Sequence, residues 1–138
     1  MAKVLVKTAY IDGELCGVRA DGVTSFELMQ QASDRGAGAL VYYAFDLMEL
    51  DGKSLVKLPL LDRIARLAKI LERAPPGIAY SDHEGGDGEA LRKAACCYGL
   101  EGMVSKRTDW HYLPGDRGVW VKSKSLNRRI RHCRLVET

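Results

Sequence analysis

The sequence has no long apolar run: its longest, Ala39 to Phe45, falls far short of the ~20 residues a bilayer-spanning helix needs. No membrane partner is expected. The first residues, Met1-Ala-Lys-Val-Leu-Val-Lys7, lack the apolar centre of a secretion signal. Four cysteines, Cys16, Cys96, Cys97 and Cys133, stand at no disulfide or metal spacing, so a reducing cytoplasm is the expected location. Three histidines, His83, His111 and His132, are too scattered for a zinc site. Only 4 prolines and 14 glycines exclude collagen-like and low-complexity chains. No GxxxxGK, GxGxxG or GxSxG stretch is present, which removes the commonest phosphate-loop, dinucleotide and hydrolase-elbow readings.

What the sequence does have is the composition of one globular domain: 138 residues, 46% hydrophobic and 28% charged, near the commonest domain size. Its net charge of +3 is unevenly spread. Residues 101 to 138 carry nine Lys and Arg against four Asp and Glu, and from Arg117 to Arg134 there are seven bases and no acid. That density suits a polyanion such as nucleotide phosphate or a nucleic-acid backbone. An edge strand protected by charge accounts for it equally well.

The pattern predicts an α+β fold with three helices. Thr24 and Glu27 have the capping-box form and open a helix that runs to about Arg35, with Gly36 as its stop. Pro59 precedes a second, in which Leu60, Leu61, Ile64, Leu67, Ala68 and Leu71 form a stripe ended by Pro75-Pro76. Asp87 caps a third, with Leu91, Ala94, Ala95 and Tyr98 on one side before Gly99. Strands are expected at Ala9 to Val18, Ala39 to Met48, Gly77 to Ser81, Gly102 to Arg107, Val119 to Ser125 and Arg129 to Val136. The last three succeed one another without a helix, so their pairing should be antiparallel, and a doubly wound parallel sheet is disfavoured. Thr108 to Gly118 is the one long loop, turning at Pro114-Gly115-Asp116.

Strand periodicity groups the chemistry-bearing residues. Asp12 and Glu14 share one face of the first strand, with Ile11 and Leu15 on the other. Trp120, Lys122 and Lys124 share a face of the fifth, while Tyr43, Phe45 and Leu47 share a face of the second. Glu101 opens the segment Glu101-Gly-Met-Val-Ser-Lys-Arg107. Taken singly, a solvated ion pair, a solvent-facing lysine pair and sheet core account for all of these.

Their order is more specific. Asp12-Gly-Glu14, Tyr43-Ala-Phe45-Asp46-Leu, Glu101-Gly-Met-Val-Ser-Lys106 and Trp120-Val-Lys122-Ser-Lys124 resemble the later four nucleotidyltransferase motifs shared by DNA ligases, RNA ligases and capping enzymes. The chain resembles the ATP-dependent DNA ligases over residues 9 to 124. Leu50-Asp-Gly52, Leu58-Pro-Leu60, Tyr80-Ser81, Gly86-Asp-Gly-Glu-Ala90, and Gly99-Leu-Glu-Gly102 leading into Ser105-Lys-Arg107 are similar to the ligase component of bacterial non-homologous end joining. The resemblance implies a partial nucleotidyltransferase fold of largely antiparallel sheets flanked by about three helices.

It also implies roles. Phe45 would stack on adenine, Glu14 would contact the ribose or order the site, and Glu101 would help hold Mg2+ or Mn2+. Lys122 and Lys124 would meet the phosphates, where fixed cations best stabilise developing charge. Asp12 and Lys106 fit the motifs with less defined roles, and Trp120 is read as packing. The implied cofactor is ATP. The implied partners are nicked or broken duplex DNA, with Ku and an end-joining polymerase, at the bacterial nucleoid.

One motif is missing. The family's nucleophile is the lysine of Lys-x-Asp-Gly, but the four Asp-Gly pairs here have Tyr10, Arg19, Glu49 and Gly85 at the lysine position. A guanidinium cannot take its place as a nucleophile, and Lys3 and Lys7 match no pattern. Fourteen residues come after Lys124, too few for the family's five-stranded oligonucleotide-binding barrel. The expectation is therefore a single partial adenylation domain, residues 1–138, without that barrel. It would bind ATP and DNA but would not form lysyl-AMP alone, and would carry an exposed apolar face disposed to self-association. The competing readings are a non-catalytic nucleic-acid or partner-binding module and a piece completed by a second chain.

Overall fold

The computed structural model describes residues 6–35, 39–83, 85–86, 88–97, 102–115 and 120–124, with only the backbone of Asp34, Arg35, Gly102, Trp120 and Lys124. The chain separates into two compact units, one of Met1–Asp82 with Thr108–Tyr112 and one of His83–Arg107 with Leu113–Thr138.

The first unit is built on β1 (Ala9–Val18), β2 (Thr24–Ser25), β3 (Leu40–Leu50), β4 (Lys53–Ser54) and β5 (Ile78–Tyr80), in the order β2-β1-β3-β4. β3 is central: β1 and β4 pair with it antiparallel, while β5 joins its Tyr42–Ala44 end in parallel. Asp51 at φ 50° and Gly52 at φ 79° turn β3 into β4. Two consecutive positive φ angles belong to the hairpin turn whose twist matches that of the strands, and Asp-Gly is a favoured pair for it. Asp51 Oδ1 accepts the Lys7 and Thr8 amides at 2.7 and 3.1 Å, tying the entry of β1 to this turn.

Helix α1 (Phe26–Arg35) comes directly after β2. The expected cap is off by one residue: Thr24 is in strand pairing with Val18, and Ser25 Oγ accepts the Leu28 amide at 3.4 Å. Glu27 is thus one residue too early to close a capping box. α1 lies so close to β1 that a Cβ on Gly17 would stand 2.5 Å from the Met29 amide nitrogen.

Helix α2 (Leu60–Leu71) begins after Pro59 as expected. Its buried positions are Leu60, Arg63, Ile64 and Leu67, whereas Leu61 is 47% exposed. The buried stripe is therefore rotated so that an arginine lies inside it. Leu67 packs with Leu47, Ala44 and Leu55 as the centre of the core, flanked by Ile11, Tyr42, Leu50, Leu58 and Ile70. Burying such side chains contributes about 1.5–3 kcal/mol each. The Leu60 and Leu61 amides, which a helix start leaves without intrahelical acceptors, donate to the Trp110 and Thr108 carbonyls at 3.0 and 3.2 Å. The expected long loop thus contributes residues 108–112 to this unit.

In the second unit α3 (Gly88–Cys97) packs on β6 (Gly102–Lys106), which pairs antiparallel with β7 (Trp120–Lys124). α3 has no fully buried residue. Gly36, Asp87, Tyr98, Gly99 and the strand expected at Arg129 to Val136 lie outside the described residues.

Candidate functional site

Glu14 stands exposed on β1, directly opposite Tyr43 of β3. Asp12, half-buried, is opposite Asp46. Gly13 between them is opposite Ala44, and a Cβ there would lie 2.5 Å from the Tyr42 ring and 2.6 Å from the Tyr43 carbonyl oxygen. The glycine is what lets the Tyr42 ring cross the strand and donate its hydroxyl to the Ile11 carbonyl at 3.3 Å. Burial, with Asp12 and Tyr10 adding negative charge, holds the Tyr42 hydroxyl above its ordinary pKa. Burial and then Glu14 do the same to the Cys16 thiol.

The aromatic motif departs from simple alternation. The register steps from Tyr10–Glu49 to Ile11–Leu47, and again from Asp12–Asp46 to Gly13–Ala44, so β3 has extra residues at Met48 and Phe45. Each extra residue in a ladder bends the strand and changes which way the next residues face. The core side of β3 is Tyr42, Ala44, Leu47 and Leu50, a spacing that unbroken alternation cannot give. The expectation that Tyr43, Phe45 and Leu47 share a face is corrected accordingly. Leu47 is fully buried, while Phe45 is half-buried and outside the core cluster.

Beside Phe45 lies a feature that sequence reasoning missed. Asp46 is fully buried and its carboxylate takes both arms of Arg63, Nε at 2.9 Å and a terminal nitrogen at 3.0 Å. The same carboxylate accepts the Leu47 amide at 2.8 Å, and Arg63 also donates to the Leu58 carbonyl at 2.6 Å. Such a two-armed pair adds geometric specificity, and removing one partner of a buried pair costs about 3–5 kcal/mol. The available signal was an arginine inside an apolar helical stripe and an aspartate inside an apolar strand.

In the second unit Lys122 is exposed on β7 opposite Val104, with Lys106 opposite Trp120 and Lys124 opposite Gly102. Antiparallel pairing therefore puts backbone positions 102, 104 and 106 on one side with 120, 122 and 124. Lys106 thus joins the expected basic face. Glu101 lies outside the described residues; Glu14 and Phe45 stand on the paired strands β1 and β3 of one unit, and Lys106 and Lys122 on the paired strands β6 and β7 of the other. Among the described residues no group of three or more His, Cys, Asp or Glu could hold a metal ion, and no helix is long and apolar enough to cross a membrane.

The sequence profile of the ATP dependent DNA ligase domain matches residues 1–124. The chain belongs to the ATP-dependent DNA ligase family. Its ligase relatives include the multifunctional non-homologous end joining protein LigD of Pseudomonas aeruginosa, 32% identical over 131 residues, which are 94% of this chain and 16% of that protein. The multifunctional non-homologous end joining DNA repair protein LigD of Mycobacterium tuberculosis is 36% identical over 121 residues, 85% of this chain and 15% of that one. Among solved structures, the ligase domain of M. tuberculosis LigD matches with a TM-score of 0.70 at 33% identity, over 84% of this chain and 38% of that chain. A mycobacterial DNA ligase D complexed with ATP and MES also gives 0.70, at 35% identity over 86% and 38%. The α+β architecture, with largely antiparallel sheets and three helices among the described residues, is that of these ligase neighbours.

Proposed function

We propose that this ligase-family chain works in ATP-dependent joining of duplex DNA at nicks or breaks, as a nucleotide- and DNA-binding adenylation unit. The observation that carries the reading is its similarity to an ATP-complexed ligase over 86% of the chain. Phe45 forms the wall against adenine, Glu14 meets the ribose, and Lys122 and Lys124 neutralise the phosphates. Half-buried Phe45 on β3, exposed Glu14 on the adjacent β1, and lysine positions sharing one side of the β6–β7 hairpin suit those tasks. Glu101 seats Mg2+ or Mn2+, since such ions are commonly held by one or two carboxylates together with substrate phosphates. Both compact units belong to one adenylation domain in this reading. A cytoplasmic, nucleoid-associated site of action and partners such as Ku and an end-joining polymerase are inferred from the end-joining relatives, and self-association would use the exposed apolar residues Leu15, Phe26 and Leu40.

With no Lys-x-Asp-Gly in these 138 residues, the chain holds ATP without forming lysyl-AMP on its own. Calorimetric titration with ATP and magnesium tests binding: Phe45→Ala should weaken affinity by about 1–3 kcal/mol, the scale of base–aromatic stacking, and Lys122→Ala should weaken it too. Equal affinity in all three proteins, or none in the wild type, rejects the assignment. Incubation with labelled ATP and then denaturing electrophoresis should leave no labelled band, and a band abolished by Lys3→Ala or Lys7→Ala overturns the inactivity.

A further inference from the structure

The register step at Phe45 separates two residues that an unbroken strand would put on one face. Leu47 goes fully into the core and Phe45 stays out of it. Between them Asp46 is anchored on three bonds: two from Arg63 and one from the Leu47 amide. Arg63 is in turn fixed to the Leu58 carbonyl just ahead of α2, and its other neighbour is the Trp110 carbonyl at 3.5 Å. Neither charged group reaches solvent, with side-chain exposures of 1% and 0%. A carboxylate in such a place must keep its cation, take up a proton or leave the interior. Leaving it would require Asp46 to turn outward and the local register to relax, and the residue preceding it would turn too.

We propose that Arg63 is a positioning residue for the nucleotide base: by clamping Asp46 it fixes the irregular turn of β3 that keeps Phe45 out of the core, where it serves as the stacking wall. The proposal rests on Phe45 being the adenine wall. Arg63 itself touches no nucleotide; it acts through Asp46.

The chain has only two phenylalanines, Phe26 and Phe45, so ring-labelled phenylalanine gives two NMR signals, with Phe26 on α1 as internal control. In wild type, ATP should move the Phe45 signal. In Arg63→Met without nucleotide, the Phe45 signal should shift while Phe26 stays. A native state that is merely less stable keeps its chemical shifts, so general weakening does not produce that pattern. ATP affinity should drop roughly tenfold, within the range of a lost stacking contact, while inorganic tripolyphosphate affinity stays the same.

If Arg63→Met does not fold, the pair Asp46→Leu with Arg63→Met removes the clamp and restores an apolar interior, a replacement buried pairs tolerate. That pair has no charge to expel, but it loses the Arg63 and Leu47 hydrogen bonds through which Asp46 fixes the turn of β3, so the Phe45 signal should again move while Phe26 stays. A folded variant with both signals unmoved, or with both moved alike, overturns the proposal. If ATP leaves the wild-type Phe45 signal unmoved, the adenine-wall reading fails instead, and the coupling of Arg63 to Phe45 is still read from the nucleotide-free variants.

Discussion

Gly13 shows how a single residue can be dictated by its neighbour across the sheet. The Tyr42 ring occupies the space a side chain would need, with the Tyr43 carbonyl oxygen 2.6 Å from the Cβ site. Gly13→Ala should therefore cost about 1–3 kcal/mol, as overpacking does, read from urea unfolding. Measured in a Tyr42→Ala background the cost of Gly13→Ala should be smaller but not vanish, because the backbone oxygen remains. Asp51 answers to charge. Amide hydrogen bonds from Thr8, then Lys7, with Lys7 and Lys53 charge, hold its carboxyl below the ordinary value. A lowered folded-state pKa adds stability above the unfolded value and loses it as pH falls through the folded one. Asp51→Asn, which tolerates the positive φ, should remove that acid-side loss: wild type and variant should converge in melting temperature as pH drops below about 4.

At the scale of elements, helices and long strands are readable from spacing, because burial imposes a period on them. β1 is observed at Ala9–Val18, as expected. The facing of β3 is not readable, since the two extra residues exist only relative to a partner strand and leave no mark on composition. Spacing places α2 correctly but counts Leu61 in the buried stripe and passes over Arg63, because hydropathy ranks arginine as a surface residue whatever it pairs with. Two-residue β2 and β4 are likewise products of pairing, as is the parallel direction of β5, a strand expected at Gly77 to Ser81. The difference between helices has a consequence. α2 buries four residues and α3 none, so amide hydrogen exchange should be slower along α2 than along α3, as local opening energy tracks buried contacts. Comparable protection in the two would contradict the assignment of the core.

Over the whole molecule, four ordered motifs make the ligase family legible without coordinates, while the site itself is legible only in pieces. Glu14, Phe45 and Lys122 stand half-buried or exposed on strands, but nothing in spacing alone reveals that Lys106 shares the basic side of the hairpin or that a buried ion pair adjoins the aromatic. The Arg117 to Arg134 basic stretch makes a prediction at this scale. Affinity for nicked duplex should fall linearly in logarithmic salt, as phosphate contacts release counterions, and Arg129→Ala should reduce the slope by about one. A salt-independent affinity would remove that stretch from the DNA-binding surface.

The parallel pairing of β5 with β3 gives the central strand neighbours separated by very different lengths of chain. β4 closes at once through a tight turn, whereas β5 returns only after α2 and pairs Tyr42 with Ile78, a wider separation than most of the β1–β3 pairs span. Bringing nearby segments together forfeits less chain entropy than closing distant ones. The β3–β4–α2 segment, whose Leu47, Leu55 and Leu67 pack together, should therefore be the nucleus on which the rest, β5 included, condenses. Leu67→Ala, at its centre, should slow refolding more than it hastens unfolding.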